Sequence, residues 1–280
     1  MKTQKTTLFI ILLLMAASVL IIAAAGSIEQ LRAGKNFIPT KVYTLKQDRE
    51  ILKLFEGLRL ADVSDGMDKA GLTNIGLMDP QIQPSWKDTV HFTHRFIGIA
   101  VTVRYVPTNK PPAAHMDTKS FDRWVDRMYT EVTPEPFAEL LRPGSALVID
   151  DAPNADSGTI GSNNIMGWKV RGCGGVVTDV GARDTDEVAA EKAPLYMRTH
   201  ARGIRPGRSE VESVNRPIVC GSVLVEPGDV IVGDGDGVIV VPRDRAKEVA
   251  EYALATIEKD KVGRRELYKK LGLKPDDSVK

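Results

Sequence analysis

The chain has 280 residues, enough for one or two domains, and 42% of them are hydrophobic, which suits a protein with a packed core. Its 38 Lys and Arg residues nearly balance its 37 Asp and Glu residues, so the formal net charge is +1. This balance argues against nucleic-acid binding, because there is no broad basic field to replace the counterions of a phosphate backbone. The two cysteines, Cys173 and Cys220, lack a CxxC spacing, and we interpret them as small buried residues; a disulfide between them stays open if the protein is exported.

An uncharged apolar run occupies residues 8–25 and follows Lys2 and Lys5. A basic start before an apolar run is typical of an export signal. As a helix the run would be about 27 Å long, close to the thickness of a bilayer, so a cleaved signal peptide and a retained membrane anchor over residues 1–25 both stay open. We expect residues 26–45 to form a linker and the body of the protein to lie outside the cytoplasm.

The next segments alternate between helical and strand patterns. Apolar residues at helical spacing predict a helix that begins near Asp48. A short second helix is predicted with Ser64 or Asp65 as its cap and Gly71 as its end. The β-branched run at residues 96–106 predicts a buried strand. Further along, patterns predict helices over 118–132, 163–172 and 185–193 and strands over 142–150 and 174–180.

The last third of the chain reads mostly as strands separated by Pro-Gly and Asp-Gly turns, followed by a charged helical end. The "GDGDG" stretch over 233–237 is predicted to be a turn between strands, since it lacks the GxGxxG order before a helix. The pattern predicts one α/β domain over residues 46–255, with helices on one face of a sheet and extra strands on the other. Residues 256–280 are expected to form a charged helical tail.

A candidate anion site lies in the stretch "GSNNIMGWKV", which begins at Gly161. A helix that starts near Ser162 would have free backbone N–H groups at its amino end, and such groups bind anions. Ser162, Asn163 and Asn164 are residue types that favour this position. We therefore expect Gly161, Ser162, Asn163 and Asn164 to contact a substrate anion. Trp168 is expected to pack within the protein, near enough to line the site.

Two opposite charges, Arg183 and Asp184, follow the predicted strand over 174–180. An arginine can hold a carboxylate through two parallel hydrogen bonds, and an aspartate is a hard oxygen ligand that Mg²⁺ accepts together with waters. An anion cradle, an arginine and a metal-binding carboxylate together suit a 2-oxo acid. The alternative, that both residues are ordinary solvated charges at the start of a helix, stays open on spacing alone.

The stretch from Gly161 to Asp184 resembles the RraA-like family, which includes class II 4-hydroxy-4-methyl-2-oxoglutarate aldolases. Further stretches are similar to family blocks, among them "LRLADVSDGMDKAG", "FIGIAVTVR" and "VEPGDVIVGDGDGVIVVP", so that the resemblance covers about residues 48–255. The positions that fall in register with the family signature are Gly161, Arg171, Gly172, Gly175, Asp179, Arg183 and Asp184.

The resemblance implies a swivelling α/β/β sandwich that assembles as a homotrimer or hexamer, with the site near a subunit interface. It implies that Asp184 holds Mg²⁺, or another divalent cation such as Mn²⁺, largely through waters. Arg183 would bind the oxo acid and stabilise its enolate. The expected reaction is retro-aldol cleavage of a 4-hydroxy-2-oxo diacid to pyruvate, or decarboxylation of oxaloacetate through the same enolate.

The chain departs from the family pattern at two places. Ser162 stands where the aldolases often carry an acidic residue that takes part in proton transfer, and a serine hydroxyl is a poor base near neutral pH. The turn before Arg183 reads "DVGARD", so its glycine is at position 181 rather than 180. Some members of the family regulate ribonuclease E without catalysis, and Ser162 favours that alternative, whereas the apolar run at residues 8–25 argues against it.

Overall fold

The computed structural model describes residues 41–151, 156–276 and 279 of the chain. The predicted hydrophobic helix at residues 8–25 and most of the predicted linker lie outside this part. Within the described ranges, no helix has the length and apolar character needed to cross a bilayer.

The described residues contain five short α-helices and one long α-helix at the carboxyl-terminal end. The α-helices are α1 (Leu45–Phe55), α2 (Leu60–Lys69), α3 (Thr118–Arg127), α4 (Ser162–Val170), α5 (Thr185–Ala190) and α6 (Ala246–Leu271). A π-helical turn, Met128–Val132, extends α3, and a 3-10 turn, Pro136–Leu140, follows it.

The strands are mostly short, apart from one of 12 residues. They are β1 (Gln83–Pro84), β2 (Phe96–Pro107), β3 (Ser145–Asp150), β4 (Cys173–Thr178), β5 (Gly181–Ala182), β6 (Leu195–Met197), β7 (Thr199–His200), β8 (Ser209–Val214), β9 (Ile218–Cys220), β10 (Val223–Val225), β11 (Val230–Asp234) and β12 (Gly237–Val241).

The main sheet is built around β2. Its strand order is β1-β6-β4-β3-β2-β11-β12, and β8 pairs with the second half of β2. Strands β2, β3, β4 and β6 run parallel to one another, whereas β1, β8, β11 and β12 are paired antiparallel. β9 with β10, and β5 with β7, form two separate two-stranded ribbons.

The two faces of the sheet are covered by different kinds of element, as the sequence pattern predicted. Side chains alternate along β2, so Val101 and Val103 face one way and Ala100 the other. The first face packs against α1, α2, α4 and α6, and the second packs against the β9–β10 ribbon. This is the α/β/β arrangement that the family resemblance implied. Cys173 and Cys220 are buried in it as free thiols, as expected.

Several element boundaries differ from those predicted. α1 begins at Leu45, before the predicted start near Asp48, and ends at Phe55, just before the chain turns at Gly57, whose φ is +81°. α2 begins at Leu60, so Ser64 and Asp65 lie inside it and the predicted cap was wrong; Asp62 accepts the N–H of Arg59 at 2.9 Å instead. α6 continues from the core into the predicted tail without a break at residue 256.

A buried carboxylate on α1 pairs with two arginines that flank strands of the main sheet. Asp48 on α1 is 3% exposed, and its two oxygens lie 2.8 Å from Arg243 and 2.5 Å from Arg142. Arg142 precedes β3 and Arg243 follows β12, and the Arg243 guanidinium also lies 4.2 Å from the centre of the Tyr43 ring. Because one carboxylate balances two cations here, its removal would leave the buried Arg243 without a counter-ion.

We expect Asp48→Ala to lower the free energy of unfolding by about 3–5 kcal/mol, the cost of breaking a buried ion pair from one side. The matched control is Glu50→Ala on the same helix, where the side chain is exposed and the change should stay within about 0.5 kcal/mol. Urea denaturation of both variants measures the difference. Equal effects of the two substitutions would contradict this account of the Asp48 contacts.

Candidate functional site

The predicted site residues meet at the carboxyl end of β4. After β4 the chain forms the short strand β5 and reaches Arg183, whose backbone N–H donates to the carbonyl oxygen of Ile160 at 2.9 Å. Ile160 directly precedes Gly161 and the start of α4. The carboxyl edge of parallel strands is where α/β proteins commonly bind ligands. This backbone contact therefore brings Arg183 and Asp184 next to the amino end of α4.

Asp184 lies directly against that amino end. Its backbone is in the left-handed region, with φ 56° and ψ 38°, a conformation that aspartate tolerates better than most residues. In this position its Oδ2 accepts the backbone N–H of Ser162 at 3.2 Å. The positive end of the helix dipole stabilises a carboxylate there. The N–H that we expected to meet a substrate anion thus holds the protein's own carboxylate.

Two glycines leave the space that Arg183 and Asp184 occupy. A Cβ atom at Gly161 would lie 2.6 Å from Asp184 Oδ2, and one at Gly158 would lie 2.8 Å from the Cγ and Cδ atoms of Arg183. Both distances are shorter than packed atoms allow. Glycine at these positions therefore leaves room for both charged side chains, and a methyl group at position 161 would have to displace the Asp184 carboxylate from where it lies.

Arg183 has a partly buried side chain, and its Nε–H group makes no hydrogen bond to any described residue. Its side chain is 33% exposed, and its Nε lies 3.8 Å from Asp184 Oδ1, beyond hydrogen-bond distance. Nε is itself buried and has no hydrogen-bond partner within the described chain. A buried N–H without a partner is uncommon in folded proteins, and it is explained if a ligand oxygen accepts from it.

The three polar residues at the start of α4 have different surroundings. Ser162 is partly buried and gives its backbone N–H to Asp184, whereas Asn163 is exposed. Asn164 is committed within the protein: its Nδ2 donates to Glu135 at 2.8 Å, and its Oδ1 accepts the N–H of Gly161 at 3.3 Å. Both polar atoms of the Asn164 amide thus have a partner within the protein, and the expected contact with substrate stays a prediction.

The residues near Asp184 fit a hydrated cation. The described residues contain no group of three or more His, Cys, Asp and Glu side chains that could enclose a metal ion. A fully protein-ligated zinc site needs three or four such ligands, but Mg²⁺ retains several waters and is often held by one or two carboxylates together with the substrate. Asp184, with one oxygen anchored on Ser162 and a side chain that is 38% exposed, suits the second kind of site.

Asp179, another position of the family signature, connects β4 to the β9–β10 ribbon. Its Oδ2 accepts the N–H of Gly221 at 3.4 Å, and its backbone oxygen accepts from Arg198 Nε at 2.9 Å. Burial raises the pKa of this carboxyl above its ordinary value. These contacts give Asp179 a structural part in holding the strand end from which Arg183 follows.

Sequence reasoning missed one residue that contacts this region, Glu135. It lies between the π-helical and 3-10 turns, in the stretch "TPEP", and reaches Asn164 and Trp168 on α4. No motif spacing relates this glutamate to α4. The proline residues on either side of it indicate only a loop, so its neighbours become apparent only in the folded chain.

Gly161, which directly precedes α4, is tightly surrounded, whereas Gly167 inside α4 is not, so the two glycines should respond differently to substitution by alanine. Gly161→Ala should lower the free energy of unfolding by about 1–3 kcal/mol, because the added methyl group collides with the Asp184 carboxylate. Gly167→Ala, where nothing lies within 4 Å, should raise it by up to about 1 kcal/mol through helix propensity. Chemical denaturation measures both. A Gly161→Ala protein as stable as the wild type would show that Asp184 is not held where we describe it.

Known proteins resemble this chain in sequence and in fold. A relative from Halalkalibacterium halodurans, named "Putative 4-hydroxy-4-methyl-2-oxoglutarate aldolase", is 36% identical over 114 residues, which are 40% of this chain and 52% of the relative. The match therefore spans about half of that relative's length. A crystal structure of an uncharacterized protein from Pseudomonas syringae pv. tomato is 25% identical, with a TM-score of 0.59, and the match covers 85% of this chain and 97% of that one.

Streptomyces coelicolor RraAS2, described as an unusual member of the RNase ES inhibitor RraA protein family, shares the fold. It is 21% identical, with a TM-score of 0.61, and the match covers 78% of this chain and 98% of that one. The family model for RraA-like proteins, described as Aldolase/RraA, matches residues 60–240. The match covers more than half of the chain, which therefore belongs to the RraA-like family.

Proposed function

We propose that this protein is a divalent-metal-dependent lyase that acts on a small 2-oxo acid. The observation that carries the proposal is that Asp184, anchored on the Ser162 N–H, lies 3.8 Å from the Nε of Arg183, which has no hydrogen-bond partner among the described residues. The name of the Halalkalibacterium halodurans relative supports a reaction of this kind. Arg183 would act in catalysis, Asp184 would hold Mg²⁺ or Mn²⁺, and Gly161, Ser162 and the exposed Asn163 would border the substrate.

In this proposal Arg183 binds the oxo acid and stabilises the negative charge that develops on it. When the carbon–carbon bond of a 4-hydroxy-2-oxo diacid breaks, its electron pair becomes the enolate of pyruvate, and the hydroxyl proton passes to a base. Fixed donors aimed at a developing oxyanion lower the barrier to such a step. A divalent cation held by Asp184 would supply Lewis-acid stabilisation of the developing negative charge.

Having serine at position 162 should affect the relative rates of retro-aldol cleavage and of oxaloacetate decarboxylation. Retro-aldol cleavage needs a base for the hydroxyl proton, and a serine hydroxyl is a poor base near neutral pH. Loss of CO₂ from oxaloacetate leaves the bond's electron pair on the enolate without deprotonating a hydroxyl group. The chain should therefore decarboxylate oxaloacetate more readily than it cleaves 4-hydroxy-2-oxo diacids, with Ser162 orienting water or substrate.

We expect Asp184→Asn to lower kcat/KM for oxaloacetate by about 100-fold or more, since the site loses its metal-binding carboxylate. Arg183→Lys should cost a comparable factor, because a lysine cannot place a donor where Nε lies. The measurement is pyruvate release with Mg²⁺, with Mn²⁺ and after treatment with EDTA. Asp186→Asn, an exposed acid in the first turn of α5, is the matched control and should retain wild-type activity.

The proposal fails if the wild type releases no pyruvate from either substrate with any divalent cation. It also fails if Asp184→Asn and Asp186→Asn behave alike. If turnover is unchanged in EDTA, the protein is a lyase that does not need the metal that we assign to Asp184.

The second candidate function is a non-catalytic protein that regulates a ribonuclease, and the observation that favours it is Ser162 in place of an acidic residue. The two functions differ in where the protein must be. We propose that residues 8–25 direct export or membrane anchoring, with residues 46–255 outside the cytoplasm, where they would not meet that nuclease. A topology reporter fused after residue 45 should be active outside the cytoplasm, whereas activity inside would support the regulator.

A further inference from the structure

A cluster of polar side chains packs against the first two turns of α4. Its members have no part in the proposed reaction. At its centre is Glu135, which accepts three hydrogen bonds. Asn164 Nδ2 and an Arg205 guanidinium N–H both donate to Oε1 at 2.8 Å, and Trp168 Nε1 donates to Oε2 at 2.9 Å. One carboxylate thus contacts α4 at two positions one turn apart.

Within this cluster, Glu135 forms an ion pair with the buried side chain of Arg205. The Arg205 side chain is 2% exposed, and it also donates to the Tyr105 hydroxyl at 2.8 Å. The rings of Tyr105 and Tyr129 lie 5.0 Å and 5.3 Å from the centre of the guanidinium group. A buried cation requires a negative partner, so the Glu135 carboxylate is held in a fixed position.

The fixed carboxylate determines which way the Asn164 amide points. A carboxylate only accepts hydrogen bonds, so Asn164 must present its Nδ2 group to Glu135. Its Oδ1 is then turned to the N–H of Gly161, at 3.3 Å. That N–H belongs to the start of α4, where backbone donors have no partner within the helix. The orientation of one side-chain amide therefore caps the turn that carries Ser162.

We propose that Glu135 is a positioning residue for the site. By fixing the Asn164 amide, it holds the first turn of α4 in the place where the Ser162 N–H meets Asp184. This inference rests on the proposed function in one respect, since it assigns Asp184 a role that positioning serves. The contact that it concerns, Ser162 N–H to Asp184 Oδ2, can be measured without substrate or metal.

Substitutions that keep the size of the side chain separate this role from a general contribution to stability. Glu135→Gln keeps the size of the side chain but removes its charge and replaces one acceptor oxygen by a donor, so it can no longer accept from Asn164, Arg205 and Trp168 together. Asn164→Asp places two carboxylates face to face. Combining the two changes lets the new amide at position 135 donate to the new carboxylate at position 164, which can still accept from Gly161.

The experiment follows the hydrogen exchange of the Ser162 backbone amide by NMR in the metal-free protein, together with the affinity for Mn²⁺. We expect Glu135→Gln to speed the exchange and to weaken Mn²⁺ binding, each by roughly 10-fold, as substitutions behind a metal ligand do. Asn164→Asp should do so by more. The double variant should recover part of the loss and lie closer to the wild type than Asn164→Asp alone; recovery is partial because Arg205 loses its carboxylate at position 135.

The matched control is Trp168→Phe, which removes another hydrogen bond between Glu135 and the same helix but leaves the Asn164 amide in place. It should change the Ser162 exchange by less than about 3-fold, and the spectrum of each variant shows whether the fold is kept. If Trp168→Phe speeds the exchange as much as Glu135→Gln, the cluster only stabilises α4, and the inference is wrong.

Two further outcomes decide the inference. It is overturned if Glu135→Gln leaves the Ser162 exchange unchanged, or if the double variant is worse than the two single effects combined. A wild type that binds no Mn²⁺ would count against the proposed function alone, because the exchange rates still measure whether Glu135 positions Ser162. Under lyase turnover, a positioning role predicts that Glu135→Gln lowers kcat more than it raises KM.

Discussion

The site depends on one contact, the hydrogen bond between the backbone N–H of Ser162 and the carboxylate of Asp184. These residues are 22 positions apart in the chain, and the contact places a negative group at the positive end of α4. It also orients Asp184 so that its other oxygen lies beside Arg183. The glycine at position 161, the left-handed backbone at Asp184 and the Asn164 cap all serve the geometry of this contact. A small site of this kind can consist of a few fixed protein atoms, provided that the bound ligand supplies the remaining charges and water molecules.

Much of the fold could be predicted from local pattern. The β-branched run at residues 96–106 became β2, because side chains buried on both faces leave a continuous apolar strand. The Asp-Gly turn over 233–237 joins β11 to β12, as its glycines indicated. Boundaries were less predictable where tertiary contacts decide them: Asp234 Oδ2 accepts the N–H of Leu60, the first residue of α2, at 2.9 Å, so the helix begins before Ser64 and Asp65.

The site was predictable to a similar extent and for similar reasons. Arg183 and Asp184 are adjacent in sequence, so a motif could identify them, and the family resemblance related them to Gly161. The partner of the helix amino end was not predictable, because free N–H groups attract a substrate anion and an aspartate from the same chain equally well. Glu135 and Arg205 could not be found at all, since their connection to α4 exists only through packing of the folded chain.

A crystal structure of the wild-type protein soaked with Mn²⁺ and pyruvate would show whether Asp184 and Arg183 form one site. We expect an anomalous peak for Mn²⁺ beside Asp184, either bound directly or through one layer of waters, with an oxygen of pyruvate accepting from Arg183 Nε. Manganese bound elsewhere, or pyruvate bound away from Arg183 with that nitrogen still unpaired, would contradict this expectation.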